Sequence, residues 1–273
     1  MARYSRLGIV SFVALLALTA FAVTAELWKV LVISWAGFGV MAIGAVLGNR
    51  TAFAGGGLVP AWGYGLASGA MIVSAALFLV PQAIGHHPKF GGLGIGIGIL
   101  SGYMAHTLGH RLTHVDLPLE LTSAEIAAHA LAAGSIIGLV YGNADLGVLL
   151  GLAIASHKGP AGYAVVQRLQ RRDVPGSAVL VPASAFGVAA IALATLSIPP
   201  DPVVNGLVFG FGAGIFLHVA MDFTPQCEVG GEVFEVASLS MDAHAMLDRL
   251  RLHVVSAMVS GAAVVVLLWL AAA

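Results

Sequence analysis

Long apolar runs, cut off from one another by short clusters of charge, proline and glycine, are the feature that most restricts how this chain can fold. A helix rises about 1.5 Å per residue, so roughly 20 apolar residues in a row will cross the hydrocarbon layer of a bilayer. Backbone in hydrocarbon has no water to bond to, so each such run must close its own hydrogen bonds as a helix. The breakers are Asn49-Arg50, His86-His87-Pro88-Lys89, Asp116-Leu117-Pro118, Gly142-Asn143, Asp173-Val174-Pro175 and Pro199-Pro200-Asp201-Pro202. They delimit nine candidate spans: Leu7–Ala25, Val30–Leu47, Leu58–Ile84, Gly91–Leu112, Ser123–Tyr141, Leu146–Leu169, Ala178–Ser197, Val203–Phe223 and Leu250–Ala271. The expectation is an all-α, polytopic transmembrane helix bundle, one domain over residues 1–273, with short connections between antiparallel neighbours. Only 9% of the residues are charged and mean hydropathy is +0.97. A water-facing domain carries about 25% charge, so this chain has too little to cover a soluble surface.

The basic residues orient the bundle. With the N-terminus in the cytoplasm, Arg3, Arg6, Arg50, Arg111, Arg168, Arg171, Arg172, Arg249 and Arg251 fall on the inner side, and only Lys29 and Lys89 fall outside. That arrangement implies a multi-pass protein of the cell membrane with its C-terminus outside. The first span follows Arg3 and Arg6, as the apolar stretch of a signal peptide does. Its length and the loose small-residue site near Thr24-Ala25 favour an uncleaved helix over residues 7–25. The longest connection, residues 224–249, is an inner acidic loop holding Glu228, Glu232, Glu235, Asp242 and Asp248, read as a solvated face with a short amphipathic helix.

Cys227 is the single cysteine, which excludes an internal disulfide and any cysteine-based metal cluster. A formal net charge of −1 provides no basic face for nucleic acid. The 35 glycines, dense in Gly91-Gly92-Leu93-Gly94-Ile95-Gly96-Ile97-Gly98, are read as close helix contacts, the means by which helices associate in lipid. No glycine motif follows a strand, so none is read as a phosphate cradle.

An ionisable side chain at mid-membrane costs about 2.5–3.5 kcal/mol on insertion scales, so each one needs a reason. His106, His110 and His114 recur at one helical face, but the outer two are about 12 Å apart along the axis, too far to share an ion. Cross-bundle hydrogen bonding explains them as well as a metal does. Glu125 follows Thr122 by three residues and reads as the second half of a capping box; His129, a turn deeper, has no such role. His218 and Asp222 share a face of the eighth span. The sharpest cluster is Ser156-His157-Lys158-Gly159-Pro160. The proline frees a carbonyl near Ser156, beside a histidine and a lysine in an otherwise apolar run.

At these residues the chain resembles the ZIP (zinc/iron permease) metal transporters. Leu152 to Ala164 is similar to that family's fifth core helix, and Ala128-His129 to Gly134 to its fourth. Gly69-Ala70-Met71 through Leu79-Val80-Pro81 is similar to the second, Leu108 to His114 to the end of the third, and Leu217 to Pro225 to the seventh. The resemblance implies eight core helices over residues 30–271 after one extra N-terminal helix. It implies transport of zinc, iron or manganese as substrate, no other cofactor, no enzymatic activity, and a homodimer among lipids. By position, His129 and His157 match the family's metal-binding histidines, with Ser156, Met71, Asp222 and Glu125 as further candidates. Ala130, Ala133, Lys158 and Ala161 replace the polar or acidic residues of those motifs. Three readings follow from these departures. The first is transport through an altered site. In the second Lys158 stands in for a bound cation, in a proton-linked carrier of another solute or a non-transporting relative. The third is an intramembrane metal-dependent enzyme using His106, His110 and His218.

Overall fold

The computed structural model describes residues 2–51, 58–112, 121–143, 148, 151, 155, 157–171, 173–196, 201–222 and 242–272. Their regular structure is helical throughout: α1 (Ala2–Thr24), α2 (Trp28–Thr51), α3 (Leu58–Ser74), α4 (Val80–His86), α5 (Pro88–Leu112), α6 (Leu121–Asn143), α7 (Lys158–Arg171), α8 (Leu180–Ala194), α9 (Pro202–Asp222) and α10 (Asp242–Ala272). Six stretches among them are long and apolar enough to cross a membrane: Arg6–Thr24, Trp28–Arg50, Ala61–His86, Gly176–Ala194, Pro202–Met221 and Arg249–Ala271. Ile126–Tyr141 is a shorter apolar helix. The fold is therefore all-helical and of the membrane type.

Two of the candidate spans depart from the pattern read in the sequence. Helices α3 and α4 are one continuous rod with a π-helical segment, Ala75–Leu79, at their junction. Pro81 lacks an amide hydrogen and its ring crowds the carbonyl four residues back, and the turn before it widens to relieve that clash. Helix α10 begins at Asp242, eight residues before the apolar run at Leu250, so the acidic connection is shorter than residues 224–249. Ala243, Ala245, Met246 and Leu247 are strong helix formers whose helix hydropathy does not reveal because charges interrupt it.

Glycine sets the packing. A Cβ at Gly210 would meet the carbonyl of Gly91, and one at Gly214 the carbonyl of Ile95, so α5 and α9 lie backbone against backbone. The same close approach joins Gly44 and Gly48 of α2 to Gly159 and Tyr163 of α7, Gly134 and Gly138 of α6 to Phe186 and Ala190 of α8, and Gly69 of α3 to Met258 of α10. Residue numbers rise together along each of these contacts, so all four pairs are parallel. The contacts sort the helices into two sets. One holds α1, α2, α6, α7 and α8, the other α3, α4, α5, α9 and α10, and across the boundary α3 touches α7 and α9 touches α6.

The chain ends of these helices sort by charge. Ser11 in the first half of α1 donates to the carbonyl of Leu180, Gln167 of α7 donates to the carbonyl of Gly48 at 2.7 Å, and Gln170 to Asn49 at 2.6 Å. Trp62 near the start of α3 donates to His253 near the start of the apolar part of α10. Arg6, Arg50, Arg171, Arg249 and Arg251 thus gather at one end of the bundle, and Lys29 and Lys89 lie at the starts of α2 and α5, at the other. The outward surface is apolar along much of its length, with Ile9, Val13, Leu100, Val259 and Leu267 all more than half exposed. Helices α1 and α10 are the most peripheral, with only 17% and 22% of their spanning windows buried, against 67% for Ala61–His86.

This packing makes a contrast that can be measured. Gly214→Leu should lower the melting temperature of the detergent-solubilised protein, since overpacking costs about 1–3 kcal/mol. Gly96, on the same helix pair, has nothing within 4 Å of where a Cβ would stand, so Gly96→Leu should leave melting unchanged. Equal melting of the two variants would contradict the α5–α9 contact.

Candidate functional site

His129 sits in the middle of α6 and His157 immediately before α7. Between Tyr141 and Lys158 the described residues Gly151 and Ala155 are helical, His157 is a turn, and a fresh helix starts at Lys158. The amide of Ala161 donates to the carbonyl of His157 at 3.1 Å, closing the first turn. Pro160 is consequently the third residue of α7 and not a kink in mid-helix, as its position in an apolar run had led one to expect. An amide there has no partner within the helix, so proline costs nothing. The break brings the His157 ring off the end of α7 and into the core.

There the two histidines meet. His129 Nε2 and His157 Nε2 are 3.4 Å apart, with ring centroids separated by 5.5 Å. Phe216 of α9 closes one side, 5.1 Å from the His157 ring in an edge-on arrangement and 5.9 Å from the His129 ring. His157 is fully buried and His129 is 7% exposed. Since α6 and α7 belong to one helix set and α9 to the other, the pair lies on the boundary between the two sets.

Lys158 takes a different direction. Neighbours on a helix leave it about 100° apart, and the lysine stem runs toward α8, with Nζ 5.1 Å from the centroid of the Phe186 ring. It is only 1% exposed, so the amine does not reach toward an interface. Among the described residues neither Lys158 Nζ nor His129 Nδ1 has a hydrogen-bond partner. The face of an aromatic ring attracts a cation by about 0.5–2 kcal/mol, less than the several kcal/mol that burying an unpaired charge costs.

The other residues singled out in the sequence fall elsewhere. Met71 is buried on α3, a turn from Ser68, whose hydroxyl donates to the carbonyl of Ala220. Asp222 ends α9, about 9 Å further along the axis than Phe216, and its side chain lies outside the described residues. His218 lies one turn before it on the same helix. Its ring packs against Gly102 and Tyr103 of α5, 4.5 Å from the tyrosine ring. His106 and His110 lie on α5 and Glu125 on α6, with side chains outside the described residues; Ser156 and His114 are outside them altogether. Helix α6 begins at Leu121, so Thr122 and Glu125 both lie in its first turns. Phe216 and Phe186 are the site residues that sequence reasoning missed. Both sit in uniformly apolar helices, where nothing in the pattern distinguishes them from core.

Among the described residues no group of three or more His, Cys, Asp and Glu side chains comes together to hold a metal ion. The described centre is two imidazoles, an amine and aromatic walls. No protein-family model matches the chain, and no curated protein matches it.

Lys158→Met keeps the stem and removes the amine. With no hydrogen bond lost among the described residues, this variant should melt at or above the wild-type temperature, by an amount on the order of 1–3 kcal/mol for relieving an unsatisfied buried group. A clear fall in melting temperature would show that the amine has a stabilising partner.

Proposed function

We propose that the protein is a membrane carrier for a divalent transition-metal ion of the zinc, iron and manganese class, held in passage between His129 and His157. The observation that carries this reading is the 3.4 Å separation of the two Nε2 atoms inside the bundle. Two ligands about 2.0–2.1 Å from one tetrahedral zinc ion stand about 3.3–3.4 Å apart. A good hydrogen bond from a ring nitrogen is shorter, about 2.7–3.2 Å. Imidazole suits zinc and iron, and two neutral ligands hold an ion loosely enough for it to leave. The resemblance of the His129 and His157 segments to the ZIP permeases supports the same substrate class. The boundary position supports a carrier, because movement of one helix set against the other would change which side the pair faces.

In this reading the arginine-rich end faces the cytoplasm, as the excess of basic residues favours, with the N-terminus inside and nine crossings in all. Metal uptake into proteoliposomes tests it. His129→Ala and His157→Ala should each weaken zinc binding by at least roughly 10–100-fold, the loss that even supporting groups of a metal site produce, and reduce uptake to that of empty vesicles. Wild-type uptake no faster than empty vesicles for zinc, iron and manganese alike would sink the proposal.

A second reading, in which the buried charge of Lys158 replaces the charge of an ion and not its position, is favoured by an amine with no hydrogen-bond partner among the described residues. Under it wild-type vesicles take up no metal, while Lys158→Ala removes the repelling charge and gains zinc binding. Zinc binding that is unchanged or lost in Lys158→Ala excludes this reading.

A further inference from the structure

Helices α5 and α6 follow one another in the chain yet scarcely meet, because each is tied to a different partner. Gly94 and Gly98 hold α5 against α9, and Gly134 and Gly138 hold α6 against α8. Ala132, Ile136 and Leu139 lie on the opposite face of α6, turned away from α8. The two helices are thereby kept apart, and a cleft of about 370 Å³ opens between them. Ala132, Ser135 and Leu139 form one wall, and Gly94 and Ile97 of α5 form the other. Ile136 packs over Gly212 of α9 and closes the floor. Apart from the Ser135 hydroxyl, the lining side chains are apolar.

Depth and width say what fits there. Gly94 and Ile97 lie about 8 and 12 Å along the axis from Lys89, within the half of a roughly 30 Å hydrocarbon layer next to the lysine end. The cleft follows α6 from Ala132 to Leu139, about 10 Å. Two turns of a further helix, about 10 Å across and as long, fill roughly 800 Å³, about twice the space. A second copy of the chain therefore cannot lay a helix in it, whereas an unbranched hydrocarbon chain can. Lys89, Leu93 and Ile97 are exposed at four-residue spacing along one face of α5, so the lysine stands two turns above Ile97 on the same face. The carboxylate of Asp201, at the start of α9, accepts hydrogen bonds from the amides of Val203 and Val204 and is engaged with its own helix.

We propose that this cleft is a lipid site, taking one acyl chain of an anionic phospholipid whose phosphate is held by Lys89 at its mouth. Basic residues at the ends of membrane helices attract anionic headgroups, and an acyl chain restores the contacts that an empty apolar cleft forfeits. Helix α6 belongs to one helix set and α5 and α9 to the other, so the bound chain is a wedge between the sets and stabilises this arrangement of them. The inference goes beyond the metal-carrier reading and does not depend on the histidine pair.

Native mass spectrometry of the full chain tests it, after incubation in detergent with equal amounts of phosphatidylglycerol and phosphatidylethanolamine. Wild type should retain one phospholipid per chain, with phosphatidylglycerol favoured about fivefold, the preference that one lysine at the surface confers. Ala132→Phe and Ser135→Leu fill the cleft and should retain no phospholipid. Phosphatidylglycerol should raise the melting temperature of wild type and of neither cleft variant, whose own melting shows that they are folded. Lys89→Gln, at the surface, should keep the lipid and lose the preference, which tests the site even where a cleft variant fails to fold. Retention by the folded cleft variants equal to that of wild type overturns the proposal, since the lipid is then held elsewhere on the surface. An unchanged preference in Lys89→Gln overturns the headgroup contact. A wild type that retains no lipid and runs as a dimer, separated by either cleft variant, makes the cleft an interface between copies and overturns the lipid site.

Discussion

Helices surrounded by lipid gain little from burying apolar side chains against one another, so their association has to come from close packing. In this protein that packing is made by glycine. Gly91, Gly94 and Gly98 of α5 meet Gly210 and Gly214 of α9 with no side chain between the backbones, and Gly44 and Gly48 of α2 meet α7 in the same way. The four parallel pairs named above are held by contacts of this type, and the pairs decide the rest. They put the basic chain ends at one end of the bundle and divide the helices into two sets. They also leave a boundary on which α6, α7 and α9 converge.

The histidine pair follows from that convergence. His129 is carried by an unbroken stretch of α6, while His157 is delivered by the start of a helix, where Pro160 is tolerated and the backbone turns. Phe216 reaches across from the opposite set to cover both rings. The charge balance at this pair is unusual, because the residue that follows His157 in the chain is a buried lysine. Ala130, Ala133 and Ala161 are among the reasons. They are buried in the core and supply no side-chain oxygen to the described site. Any account of this centre therefore turns on the buried Lys158 amine beside Phe186.

Much of the architecture was legible in the sequence, because charge and proline mark helix ends more sharply in a membrane chain than in a soluble one. The glycine contacts, and the meeting of His129 with His157, were also visible there, the latter through resemblance and not through spacing. Helix starts made of good helix formers with interleaved charge, such as Asp242 to Arg249, escape a hydropathy reading. The π segment before Pro81 escapes it too, since proline signals disruption without saying how the helix absorbs it. The direction of Lys158 and the partnership of Phe216 and Phe186 depend on how neighbouring helices rotate about their axes, which apolar pattern leaves open when a helix is apolar on every face.

Anomalous diffraction at the zinc edge from crystals grown with zinc bears most directly on the central claim. The account predicts a zinc ion between His129 Nε2 and His157 Nε2, at about 2.0–2.1 Å from each. Zinc bound only at other sites, with the two imidazoles still in direct contact, would contradict it.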